Sequence, residues 1–179
     1  MIILTSLMLL GCGFELQNTA NFTGKLETLY IQTADPYTVF YRTIKRQMAN
    51  HGVEIATESK NSNFALIIHQ DESNQRILSV SGRNTPREYE VYYLVKWSLV
   101  KGNQVIIQPM TSNKYQDYTF DQRQLLGKSN ESRIIQEALA KDIVQMILVK
   151  LNQTLLRNGK NTFYLFNHEC RKVDSIAAN

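Results

Sequence analysis

Residues Glu88–Val100, EYEVYYLVKWSLV, decide how this chain folds. Tyr89, Val91, Tyr93, Val95, Trp97 and Leu99 recur at every second position, while Glu88, Glu90, Lys96 and Ser98 fall between them. A period of two is that of a β-strand, whose successive side chains point to opposite faces. One face is expected to pack against a core and the other to meet water or a partner. Lys101-Gly102-Asn103 then reads as a tight turn into a second long arm, Gln104 to Phe120. Pro109 in that arm predicts an edge position or a bulge, because proline cannot donate to the ladder.

Working outward toward the N-terminus, Arg76 to Ser81 reads as a further strand or the start of a hairpin arm, and Phe64 to Gln70 and Val53 to Thr57 as short strands joined by the polar loop Glu58 to Asn63. Before them, Tyr37, Phe40, Tyr41, Ile44 and Met48 form a stripe at helical spacing. Asp35 is expected as the N-cap of that helix, Pro36 as its first residue and Gly52 as its C-terminal stop. Lys25 to Thr33 alternates as a strand with Leu29 and Ile31 inward. Toward the C-terminus, Asp121 to Lys128 reads as a polar loop. A long helix is expected from Ser129 or Asn130 to about Arg157, burying Ile135, Leu139, Ile143, Met146, Ile147, Leu151 and Leu155. Helices on one face of a sheet give an α+β two-layer sandwich: two amphipathic helices on a largely antiparallel or mixed sheet of four to five strands. The expected organisation is a leader at 1–11, a tether at 12–24, one domain at 25–157 and a flexible tail at 158–179.

Composition narrows the function. The chain has 179 residues, enough for one ordinary domain, and carries 20 Lys+Arg against 16 Asp+Glu, a net charge of +4 that suits an anionic partner. His51, His69 and His168 stand at no metal-ligand spacing, and GxSxG, P-loop and GxGxxG patterns are absent. The reading is therefore of a protein that is not an enzyme and needs no cofactor.

The N-terminus is apolar and uncharged from Met1 to Gly11 and ends in Leu9-Leu10-Gly11-Cys12-Gly13. This resembles a bacterial lipoprotein signal with its lipobox, which implies cleavage before Cys12 and lipidation of that residue. With Cys12 so used, only Cys170 remains and no internal disulfide can form. Gly13, where inner-membrane retention signals resembling this one would place Asp, implies an outer-membrane address.

An ordered set of motifs carries a further resemblance: Gly11-Cys12-Gly13-Phe14-Glu15-Leu16, His51-Gly52-Val53-Glu54, Glu88-Tyr89, Tyr115-Gln116-Asp117-Tyr118 and Leu125-Leu126-Gly127-Lys128-Ser129-Asn130-Glu131. Over Cys12 to about Leu156 the chain resembles the LPS-assembly lipoprotein family, LptE or rare lipoprotein B. The resemblance implies a non-catalytic subunit of the outer-membrane lipopolysaccharide translocon that plugs, and helps assemble, the LptD β-barrel and binds lipopolysaccharide. A lumen-filling surface is expected to be polar, and Tyr92, Tyr115 and Tyr118 are expected outside or at the rim of the core. Two positions match the family's basic ligand-binding residues: Lys128, and Arg83 in Gly82-Arg83-Asn84, with Arg87 able to take the place of Arg83. Arginine offers bidentate bonds to phosphate and lysine a mobile point charge. The other reading is a stand-alone periplasmic lipoprotein that binds an amphipathic ligand or cell-wall component without a barrel partner.

Overall fold

The computed structural model describes Phe22, residues 24–119 and residues 128–176, with residues 128–130 and 158–176 described through their backbone alone. The first strand, β1 (Thr28–Gln32), turns Leu29 and Ile31 into the core as its alternation predicts. Helix α1 (Val39–Asn50) follows. Its cap is Thr38, whose Oγ1 accepts the Tyr41 N–H at 3.0 Å, and not the expected Asp35. Asp35 instead accepts from Tyr37 N–H at 2.8 Å, a local Asx turn that holds Pro36 and Tyr37 outside the helix and leaves Tyr37 exposed. Phe40, Ile44 and Met48 supply the buried stripe.

The stop at Gly52 falls where expected. With φ +76° it sits one residue past the cap His51, its N–H donates to Ala49 C=O, and Val53 N–H donates to Met48 C=O. That is a Schellman closure, with Val53 and Met48 both buried.

Strand β2 (Glu54–Ala56) pairs parallel with β1, and a single 3-10 turn at Ser59–Asn61 leads back past Thr28, whose hydroxyl accepts from Asn63 N–H at 3.5 Å. The next strand differs from expectation. Phe64–Gln70 and Arg76–Ser81 are not separate elements but parts of one 17-residue strand, β3 (Phe64–Val80). Its polar middle, Asp71 to Gln75, stays in the ladder because β4 (Pro86–Lys101) pairs with it residue by residue. Gly102 and Asn103 then close a two-residue turn, with φ +54° at Gly102, into β5 (Gln104–Thr119). The sheet order is β2-β1-β3-β4-β5, parallel around β1 and antiparallel from β3 to β5. Pro109 lies on this edge strand, where Trp97 faces Met110 and Leu99 faces Ile107, so the irregularity absorbs the missing donor.

Helix α2 (Lys128–Ile176) runs 49 residues, well beyond the end expected near Arg157, and 158–176 is helical where a flexible tail was expected. Weak apolar periodicity hid this extension, yet no proline interrupts it. Its buried face includes Leu139, Ile143, Ile147, Leu151 and Leu155 as expected, while Val144 and Leu148 are buried and Met146 is exposed. Both helices pack on one side of the sheet, over Tyr89, Val91, Tyr93, Val95, Trp97 and Leu99, all buried. The decisive alternating strand thus forms the floor of an α+β two-layer sandwich.

Candidate functional site

The sheet has one covered and one open face, and β4 divides them. On the open face the register aligns rows of side chains, all polar but Leu94, across three strands: Gln70–Lys96–Thr111, Glu72–Leu94–Asn113, Asn74–Tyr92–Tyr115 and Arg76–Glu90–Asp117. These rows are tied to one another. Tyr92 Oη donates to Glu72 at 2.9 Å, Gln70 Nε2 to the same carboxylate at 2.9 Å, and Asn113 Nδ2 to Tyr115 Oη at 2.7 Å. Arg76 Nε stands 2.7 Å from Glu90. Tyr92 and Tyr115 are therefore outside the core as expected. Tyr118 is not, since it stacks on Tyr89 on the covered face, centroids 5.4 Å apart, and its hydroxyl donates to Gln75 at 3.2 Å.

The β3–β4 hairpin ends in Ser81–Thr85. Ser81 N–H donates to Thr85 C=O at 2.7 Å, Asn84 N–H to Ser81 C=O at 2.8 Å, and the Ser81 and Thr85 hydroxyls meet at 2.7 Å. Asn84 takes φ +60°, a left-handed turn conformation that asparagine tolerates. This closed turn presents Arg83 to solvent, with Arg87 exposed on the neighbouring strand. Beside them Ile77, Leu78 and Val80 are also exposed. Sequence reading placed these aliphatics in a strand but gave them no role; three aliphatics in four residues next to Gly82-Arg83 were the available signal. The tip thus places two exposed cations near three exposed aliphatic side chains.

Lys128 opens α2, but its side chain lies outside the described residues, as do Cys12 and residues 120–127. Thr119, the last residue of β5, pairs with Glu88, so β5 ends at the hairpin-tip end of the sheet.

Sequence reading also missed a half-buried carboxyl. An extra residue at His69, between the Ile68–Trp97 and Gln70–Lys96 pairs, shifts the alternation by one and turns Asp71 to the covered face. There it lies against the hydroxyls of Thr38 and Tyr93, and its Oδ2 is buried without a hydrogen-bond partner. Burial pushes the Asp71 carboxyl above the usual range, an effect that those two hydroxyls oppose and the charge of Asp35 reinforces. Burial and the neighbouring Asp71 charge raise the Tyr93 hydroxyl in turn. Among the described residues no group of three or more His, Cys, Asp or Glu could hold a metal, and no helix is long and apolar enough to cross a membrane.

The family model for lipopolysaccharide assembly, LptE, matches residues 26–151, from just before β1 to the last buried turns of α2. This chain belongs to the LptE family. The LPS-assembly lipoprotein LptE of Yersinia enterocolitica is 25% identical over 150 residues, covering 83% of this chain and 72% of that protein. The LPS-assembly lipoprotein LptE of Yersinia pestis is 23% identical over 161 residues, covering 89% and 77%. Two solved structures share the fold. Lipoprotein B from Nitrosomonas europaea superposes with a TM-score of 0.63 at 24% identity over 79% of this chain and 91% of that one. Rare lipoprotein B from Shewanella oneidensis does so with 0.52 at 21% identity over 79% and 100%. Membership of the LptE family assigns the chain a role in lipopolysaccharide assembly.

Proposed function

We propose that the chain is the non-catalytic lipoprotein subunit of the outer-membrane lipopolysaccharide translocon. Lipidated at Cys12, it sits in the lumen of an LptD-type β-barrel, supports assembly of that barrel, and binds lipopolysaccharide as it passes to the outer leaflet. The observation that carries this reading is the open face of the β3–β4–β5 sheet. A sheet in a two-layer sandwich commonly turns one polar face outward, and the lumens of outer-membrane barrels are polar, so this face has the chemistry of a surface that could fill one. Gln70, Glu72, Tyr92, Asn113 and Tyr115 offer such a lumen donors and acceptors already held in place by cross-strand bonds.

Lipopolysaccharide binding belongs to the hairpin tip. Arg83, with Arg87 beside it, supplies guanidinium groups for the phosphates, Ile77, Leu78 and Val80 supply apolar contact for acyl chains, and Lys128 adds a cation from the start of α2. The test is the double change Arg83→Asp with Lys128→Asp, in which a carboxylate repels the phosphate it faces. Affinity for lipopolysaccharide at low salt is expected to fall while the melting midpoint and barrel association hold. Parental affinity in the doubly reversed protein would remove the tip from the binding site.

A further inference from the structure

Helix α1 carries Arg42, Lys45 and Arg46 and no acidic residue. Spaced three and four apart from Arg42, the three cations share one side of the helix, and all are exposed. They wall a groove of about 620 Å³ between α1 and β2, with Ala49, Val53 and Ile55 as its apolar lining and Glu54 beside them. Among the described residues no carboxylate stands within 4.0 Å of any of the three cations. Like charges this close are unfavourable unless an anion joins them.

The end of the molecule on which the groove lies gives it a context. Phe22 is fully buried, its ring edge-on to His51 at the C-terminal cap of α1 with centroids 6.0 Å apart. Phe22 is therefore held beside the groove. Cys12 is ten residues earlier, and at about 3.3–3.6 Å per extended residue it can be no more than roughly 35 Å from Phe22.

We propose that the α1–β2 groove docks on the anionic phospholipid headgroups of the bilayer to which the chain is tethered. Arg42 and Arg46 bind phosphate oxygens, Lys45 adds a mobile charge, and Ala49, Val53 and Ile55 receive the glycerol and first methylenes. The groove sets which end of the domain faces the membrane. The orientation argument rests on the Cys12 anchor proposed above, while the phosphate chemistry of the groove stands apart from it.

Flotation of the full chain with vesicles of phosphatidylcholine, with and without phosphatidylglycerol, tests the proposal. Each basic residue near an anionic surface strengthens binding about fivefold, so loss of the three charges is expected to reduce partitioning onto phosphatidylglycerol vesicles on the order of 100-fold, and the reversal Arg42→Glu/Lys45→Glu/Arg46→Glu by at least that. The uncharged variant Arg42→Gln/Lys45→Gln/Arg46→Gln guards against a folding defect from clustered carboxylates and is expected to lose most of the same binding. A control of equal net charge, Lys60→Glu/Lys141→Glu/Lys150→Glu, is expected to retain it. Parental partitioning that ignores phosphatidylglycerol, a control that falls as far as the groove variant, or a response to lipopolysaccharide micelles alone would overturn the proposal. Mass analysis of Cys12 is a separate measurement, so vesicle indifference in a chain that proves to be lipidated would sink the groove and leave the anchor standing.

Discussion

The hydroxyl of Tyr93, on the covered face of β4, accepts a hydrogen bond from the backbone N–H of Phe40 at 3.3 Å. It joins the first turn of α1 to the sheet across 53 positions of sequence. One of the N–H groups that every helix leaves unpaired at its start is thereby satisfied from another layer, and Asp71 lies against the same hydroxyl.

Asp71 makes this junction sensitive to pH. Its carboxyl is raised by burial, so the folded protein holds the proton more tightly than the unfolded chain and stability falls as pH climbs. The loss begins near the ordinary value of 3.8 and is complete once pH exceeds the raised one. Asp71→Asn is expected to flatten that part of the profile, as measured by urea unfolding across the acid range; an unchanged slope would mean that Asp71 is as well solvated folded as unfolded.

Trp97 anchors the floor of the core. It is fully buried, and its indole Nε1 donates to Ser112 Oγ at 3.1 Å. Trp97→Ala is expected to cost about 3–5 kcal/mol, lowering the midpoint of a domain this size by roughly 6–20 °C. Ser112→Ala leaves the indole N–H unpaired and is expected to cost about 1–3 kcal/mol by the same thermal melt.

The start of α1 separates two candidate caps. Thr38→Ala removes the acceptor for Tyr41 N–H and is expected to cost about 0.5–2 kcal/mol, whereas Asp35→Ala breaks an exposed turn contact and is expected to stay within about 0.5 kcal/mol. Chemical denaturation of the two variants side by side checks the order.

This pair also shows what the sequence could and could not reveal. Asp35-Pro36 is a good helix start in isolation, but Thr38 wins because Tyr93 and Asp71 meet the helix there, a contact from a strand far along the chain. The alternation of β4 was legible because β4 itself holds no extra residue from Glu88 to Trp97: the irregularities of its β3 ladder there fall in β3, and its β5 ladder has no shift over that stretch. The continuity of β3 was not, because its middle is polar and its bulge at His69 reverses the alternation. At the tip, the motif drew attention to Arg83, while the aliphatics beside it needed the folded hairpin to show that they are exposed.

At the N-terminus, Cys12 is expected to carry the lipid. Cys12→Ser is expected to leave the leader uncleaved or the chain unanchored, as read by intact mass and membrane fractionation. A native chain that begins at Met1 without lipid would contradict the anchor.

Co-purification tests the central claim most directly. The chain, extracted from membranes in detergent and captured through a C-terminal tag, is expected to bring with it a large outer-membrane β-barrel protein, identified by mass. Carboxylates placed on the open face, Lys96→Glu with Tyr115→Asp, are expected to loosen that association without unfolding the domain. Capture of the folded chain alone, under conditions where the barrel protein is present in the extract, would contradict the account and leave a lipoprotein that works without a barrel.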